Sequence, residues 1–123
     1  MDNKRVKYTV DRDNKVVIAE LKDTMFDALY LVNEKFVQNV TSGIEINVGV
    51  LPRNPKFEMN HKYKAVARLR DGDEWDEQRG KDVARNKLTE VYHNGMNKRL
   101  ANYATYLRKI ADNIDAYLAK QHN

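Results

Sequence analysis

Nucleophilic catalysis, metal binding and anion recognition each require particular residue types at particular spacings, and only the last finds them in this chain. With no cysteine there is neither a thiol nucleophile nor a thiolate metal site. Ser42 is the only serine, and it lies in Val-Thr-Ser-Gly-Ile, without the flanking pattern of a nucleophile elbow. His61, His93 and His122 stand far apart, with no HxxxH or HExxH spacing. The acids Asp71, Asp73, Glu74, Asp76 and Glu77 suggest a divalent-cation loop, yet Trp75 takes a ligand place and the glycine of an EF-hand is missing. A turn followed by a helix cap explains them better. Glycines do not cluster as GxGxxG or GxxxxGK[ST], so no phosphate cradle of those kinds is present.

Anion binding is the chemistry left. Lys62, Lys64, Val66, Arg68 and Arg70 share one parity and Tyr63, Ala65, Ala67 and Leu69 the other, the period-2 pattern of a strand with one buried face. Residues 53–70 hold six Lys or Arg against one acid, whereas 71–77 hold five acids and no base. Arg53, Lys62, Lys64, Arg68 and Arg70 are therefore the candidate anion-binding residues, the arginines offering forked contacts to phosphate oxygens. A solvated sheet face is the competing reading. Tyr103, Tyr106 and Tyr117 can stack on bases, but Tyr103 and Tyr117 also fall on an apolar helical stripe.

The elements that would position these residues follow from the same patterns. Val6, Tyr8 and Val10 alternate with polar residues, 11–14 (DRDN) is a turn cluster, and 15–21 is β-branched and apolar: a β-hairpin. Thr24-x-x-Asp27 approximates a capping box for a helix over 24–40, whose apolar face holds Met25, Phe26, Leu29, Val32 and Phe36. Ile44, Ile46, Val48 and Val50 predict a third strand, ended by Pro52 and Pro55, and PRNPKFEMN forms a long loop before the basic strand. Asp71-Gly72 then turns the chain, and Asp76 caps a helix bearing Gly80, Val83, Ala84, Leu88 and Val91 on one face.

Asn94-Gly95 is a helix-stop signal and Asn97 a possible new cap, so the spacing predicts a bent pair of C-terminal helices. Tyr92, Met96, Leu100 and Tyr103 can alternatively continue one stripe, giving a single helix too long for one small domain and hence an oligomer. Leu100, Leu107 and Ile114 recur seven apart, followed at three by Tyr103, Ile110 and Tyr117 and at four by Ala104, Ala111 and Leu118. That stripe suits a packing face or a dimer face. The expected fold is α+β: a single domain over 1–123, with an antiparallel sheet of about four strands and one helix in 1–70. Two C-terminal helices in 71–123 follow, forming a helical pair or dimer arm.

The segments Ala65-Val66-Ala67-Arg68, Gly72-Asp73-Glu74-Trp75-Asp76 and Gly80-Lys81-Asp82-Val83-Ala84 resemble a pattern in small accessory proteins of phages and mobile elements of Gram-positive bacteria. In that pattern a strand ending in a basic residue leads into a helix start of the form G/D-D-x-F/W-D-x-x-x-G-x-x-x-A. This chain replaces the usual short Asp-Gly hairpin before the strand with PRNPKFEMN. By architecture the resemblance extends to Thoeris anti-defence proteins that sequester nucleotide immune signals, and it implies a counter-defence role.

A net charge of +4, with no signal-peptide core and only short apolar runs, points to a cytoplasmic protein without membrane association. The leading expectation is a non-enzymatic, cofactor-free homo-oligomer joined through its C-terminal helices, which binds an anionic nucleotide-like ligand through the basic strand. The alternatives are nucleic-acid binding by the same face, or inhibition of a host or defence enzyme with Trp75 in the contact patch.

Overall fold

The computed structural model of the protein describes residues 1, 3–31, 56–70 and 72–121. A 3-10 turn, Asn3–Arg5, leads into strands β1 (Lys7–Asp11) and β2 (Val16–Lys22). Then come a short helix α1 (Asp27–Leu31), strand β3 (Lys62–Arg68) and a long helix α2 (Glu77–Gln121). The strands form one antiparallel sheet in the order β1-β2-β3.

The DRDN cluster closes the β1-β2 hairpin through its side chains. The Asp11 carboxylate accepts from the Asn14 amide nitrogen at 3.1 Å and from Asn14 Nδ2 at 2.7 Å. These bonds, the side-chain one foremost, hold the Asp11 carboxyl below its ordinary range. Lys15 ends the turn in the left-handed region at φ 54°, and its carbonyl accepts from the Leu69 N–H at 3.0 Å, tying the hairpin to the end of β3.

Strand alternation puts Val17, Ala19 and Leu21 of β2 and Tyr63, Ala65 and Ala67 of β3 on the face that α2 covers, and all six are buried. The helix answers with Ala84, Leu88, Tyr92 and Met96, one residue every four. Alanines on both sides let the backbones approach, and the edge-on rings of Tyr63 and Tyr92, 6.0 Å between centroids, fill the remaining width. Burying a side chain the size of Leu88 or Leu21 contributes about 1.5–3 kcal/mol, so this layer dominates the stability. A second cluster continues along the helix, where Phe57 packs edge-on against Tyr103 and Tyr106, with Leu29 and Leu100 beside them. Arg99 Nε donates to the Glu58 carbonyl at 3.0 Å and Asn102 Nδ2 to that of Lys56 at 2.7 Å, fastening the chain before β3 to the helix.

Three features differ from the sequence expectation. The C-terminal half is one helix of 45 residues, not a bent pair, and it runs ~67 Å at 1.5 Å per residue. Gly95 does not end it. It is the point where the helix passes the Tyr63 ring: a Cβ there would stand 3.0 Å from Tyr63 Cζ and closer still to the hydroxyl oxygen. The stripe Tyr92, Met96, Leu100, Tyr103 accordingly runs straight through the Asn94-Gly95 signal and past Asn97.

The sheet has three strands among the described residues, not about four. The strand expected over 44–50 and the helix expected beyond residue 31 lie outside those residues. At the start of α1 the capping-box geometry is also absent. The Thr24 hydroxyl donates to the Asn60 carbonyl, and the Asp27 carboxylate turns away to Tyr92 and Arg5.

The start of α2 follows the sequence closely. Gly72 takes the turn at φ 89°, and Asp76 Oδ1 accepts from the Arg79 N–H at 3.1 Å, an N-cap bond. Replacing Asp76 by alanine should cost about 1 kcal/mol of stability, visible as a lower urea midpoint at unchanged slope.

Candidate functional site

The outer face of the sheet, away from α2, carries the cations. Lys62, Lys64 and Arg68 of β3 are exposed on it, as the alternation requires, with Val66 half-buried between them. Strand register adds residues that the strand pattern alone does not reveal. Lys64 pairs with Glu20, which pairs with Lys7, and Lys62 pairs with Lys22. Among the described residues, one end of the face therefore gathers Lys7, Lys22, Lys62 and Lys64 around the Glu20 carboxylate. Lys62 Nζ lies 3.2 Å from Glu20 Oε1, and this bond, with the fields of Lys62, Lys22 and Lys64, holds the Glu20 carboxyl below its ordinary value. Since one carboxylate neutralises one lysine, most of the positive charge remains for a ligand.

The hairpin register could have disclosed Lys7 and Lys22. Once Asp11 is set opposite Val16 by the DRDN turn, counting back along each strand places Lys7 opposite Glu20. The middle of the same face is apolar and half-exposed, with Ile18 beside Val66.

Arg68 and Arg70 belong to a different environment. They lie at the far end of β3, where Arg68 is ~13 Å from Lys64 along a strand rising 3.3 Å per residue. There they line a groove of about 910 Å³ between the end of the sheet and the start of α2. Lys15 and Arg79 add two more cations to it, Asp73, Glu74, Asp76 and Glu77 add four acids, and half-buried Trp75 supplies an aromatic wall. Its charges balance, unlike those at the lysine end. The five predicted site residues are thus split: Lys62 and Lys64 sit together, Arg68 and Arg70 sit together, and Arg53 lies outside the described residues.

Of the acidic run, Asp71 lies outside the described residues, and the other four acids form no cation cage. Asp76 caps the helix and Glu77 lies 3.5 Å from Lys81. Among the described residues no three His, Asp or Glu side chains come together as a metal site would need. His61 is exposed, 3.8 Å from the Asp23 carboxylate, and His93 lies edge-on to Tyr92. Of the three tyrosines proposed for stacking, Tyr103 is buried against Phe57, Tyr106 is half-buried beside it and Tyr117 is exposed. No helix among the described residues is long and apolar enough to cross a membrane. No family model, curated protein or solved structure matches this chain.

Proposed function

We propose that the protein is a non-enzymatic binding protein whose cationic sheet face takes the phosphate backbone of a nucleic acid. The observation that carries this reading is the cluster Lys7, Lys22, Lys62 and Lys64, contributed by all three strands and countered, among the described residues of those strands, by Glu20. These side chains stand on an open face, and neither the groove at Trp75 nor a second groove beside Phe57 includes Lys62 or Lys64. A polyanion can bridge several such charges at once, whereas a small nucleotide needs concave walls.

The test is fluorescence anisotropy with a labelled single-stranded oligonucleotide. Neutralising about four phosphates gives a log–log salt slope near −3, hence ~50-fold weaker binding between about 50 and 200 mM salt. Lys62→Glu with Lys64→Glu should abolish it. Binding absent at low salt, or indifferent both to salt and to that double substitution, sinks the proposal.

One observation favours a second reading, sequestration of a nucleotide-like ligand. The groove at the sheet end is concave, of ligand size, and pairs Arg68, Arg70, Lys15 and Arg79 with an aromatic ring. Trp75 is the only tryptophan, so quenching of its fluorescence by cyclic nucleotides or ADP-ribose, lost in Arg68→Ala, distinguishes this reading from the first. A phage-type accessory role rests on the resemblance of residues 65–84 alone; the counter-defence role rested on an architecture with two C-terminal helices, which the single helix α2 does not match.

A further inference from the structure

From Leu107 to its end every residue of α2 is exposed, over ~22 Å of helix at 1.5 Å per residue. Its apolar residues are not scattered. Leu107, Ile110, Ile114 and Tyr117 alternate spacings of three and four, the seam of a two-stranded coiled coil, and they prolong the packed stripe of buried Met96 and Tyr103 and half-buried Leu100. Ile114 is 54% and Tyr117 62% exposed. Arg108, Asp112 and Asp115 fall on the opposite side of the helix by spacing, and Lys109 lies towards the Tyr106 and Asn113 flank. The residues beside the seam are Ala104, Ala111 and Leu118 on one flank and Tyr106, Asn113 and Lys120 on the other.

We propose that residues 107–121 form a self-pairing arm, through which two copies of the chain join antiparallel with Ala111 facing its counterpart at the two-fold axis. The direction follows from what already covers the seam. Upstream of Leu107 the same stripe is occupied by the sheet and by Phe57. A parallel pair would bring both sheets to one end, on the side where the two helices must meet, and would force the helices apart immediately above the arm. An antiparallel pair sends the two sheets to opposite ends and leaves the seam free along its whole length.

The flanks fit the same arrangement. In an antiparallel pair like flanks meet, so Ala104 of one copy faces Leu118 of the other and the small alanines allow close approach. On the other flank Asn113 meets Asn113, and Lys120 reaches Tyr106, whose ring edges a groove of about 530 Å³ with Phe57 and Ile110. No like charges oppose one another. Each arm buries on the order of 500 Å², so the pair lies near the ~1,200 Å² lower limit of specific interfaces and would dissociate on dilution.

Sedimentation and light scattering test the pairing. At about 100 µM, a micromolar-range association gives twice the 14.4 kDa of one chain, and Ile114→Glu should weaken it at least tenfold with the circular dichroism of the monomer unchanged. Because the chain has no cysteine, introduced thiols report direction. Ala111→Cys should oxidise to a disulfide with its own kind, and a mixture of Ala104→Cys and Leu118→Cys should give the mixed disulfide in preference to either homodisulfide. A monomer at that concentration overturns the proposal, as it would if the arm were covered within its own chain. Association that survives Ile114→Glu, or Leu118→Cys linking to itself in place of Ala104→Cys, overturns it as well.

Discussion

Asp27→Ala should lower the stability of the folded chain by about 3 kcal/mol. Its carboxylate joins three parts of the molecule. Asp27 Oδ2 accepts from the Tyr92 hydroxyl at 2.8 Å and from Arg5 Nη1 at 3.0 Å, so α1, α2 and the N-terminal turn converge on one oxygen. Arg5 also donates to the carbonyls of Lys22 and Asp23 at 3.0 and 2.9 Å and keeps those bonds if the carboxylate goes. Tyr92 does not. Its ring is buried, and an orphaned buried hydroxyl costs about 1–3 kcal/mol, with the half-exposed ion pair adding less than 1. In a Tyr92→Phe background the hydroxyl is already absent, so Asp27→Ala should cost only about 1 kcal/mol, and urea titration of the four proteins measures the coupling. Equal costs in both backgrounds would mean that the hydroxyl and the carboxylate do not act together.

The same bond has a pH signature. Burial, and after it the hydrogen bond to Asp27, push the Tyr92 phenol above its ordinary value. Burial raises Tyr103 as well. A raised phenol means that the folded chain favours the neutral form. Its contribution is therefore complete below the unfolded tyrosine value near 10 and is lost as the pH climbs beyond it. Stability should fall above about pH 10, and less steeply in Tyr92→Phe.

What could be read from the sequence was local. The alternation of Lys62, Lys64 and Arg68 with Tyr63, Ala65 and Ala67 reports which face of β3 is buried, because a strand has only two faces. The DRDN turn and the Asp76 cap were equally legible, since each is a short-range hydrogen bond between side chain and backbone. What escaped depends on partners far along the chain. Thr24 and Asp27 have the spacing of a capping box, yet their side chains go to residues 36 and 65 positions away. The lysine cluster needs Lys7 and Lys22, which only the register across β2 brings beside Lys62 and Lys64. The division of the basic strand into a lysine end and a groove end also has no trace in its own alternation, because the groove is completed by residues 73–76 and the first turn of α2, which line it together with Arg68 and Arg70.

Gly95→Ala should destabilise the protein by about 2 kcal/mol, although alanine in place of glycine within a helix ordinarily stabilises by about 1. Asn-Gly is a stop signal because glycine accepts the left-handed conformation at a helix end. Here glycine is kept for the opposite reason, that a continuing helix must pass close to a ring. The added Cβ would lie 3.0 Å from Tyr63 Cζ and 3.2 Å from Cε1. The ring has little room to yield: it is 8% exposed, sits edge-on to Tyr92, and its oxygen accepts the Asn60 N–H at 3.3 Å. Tyr63→Phe removes the nearest atom, so the same substitution should cost clearly less in that background. Thermal or urea unfolding of the four proteins decides the point. If alanine stabilises in both backgrounds, the helix does not run against Tyr63, and the continuity of α2 through residue 95 loses its explanation.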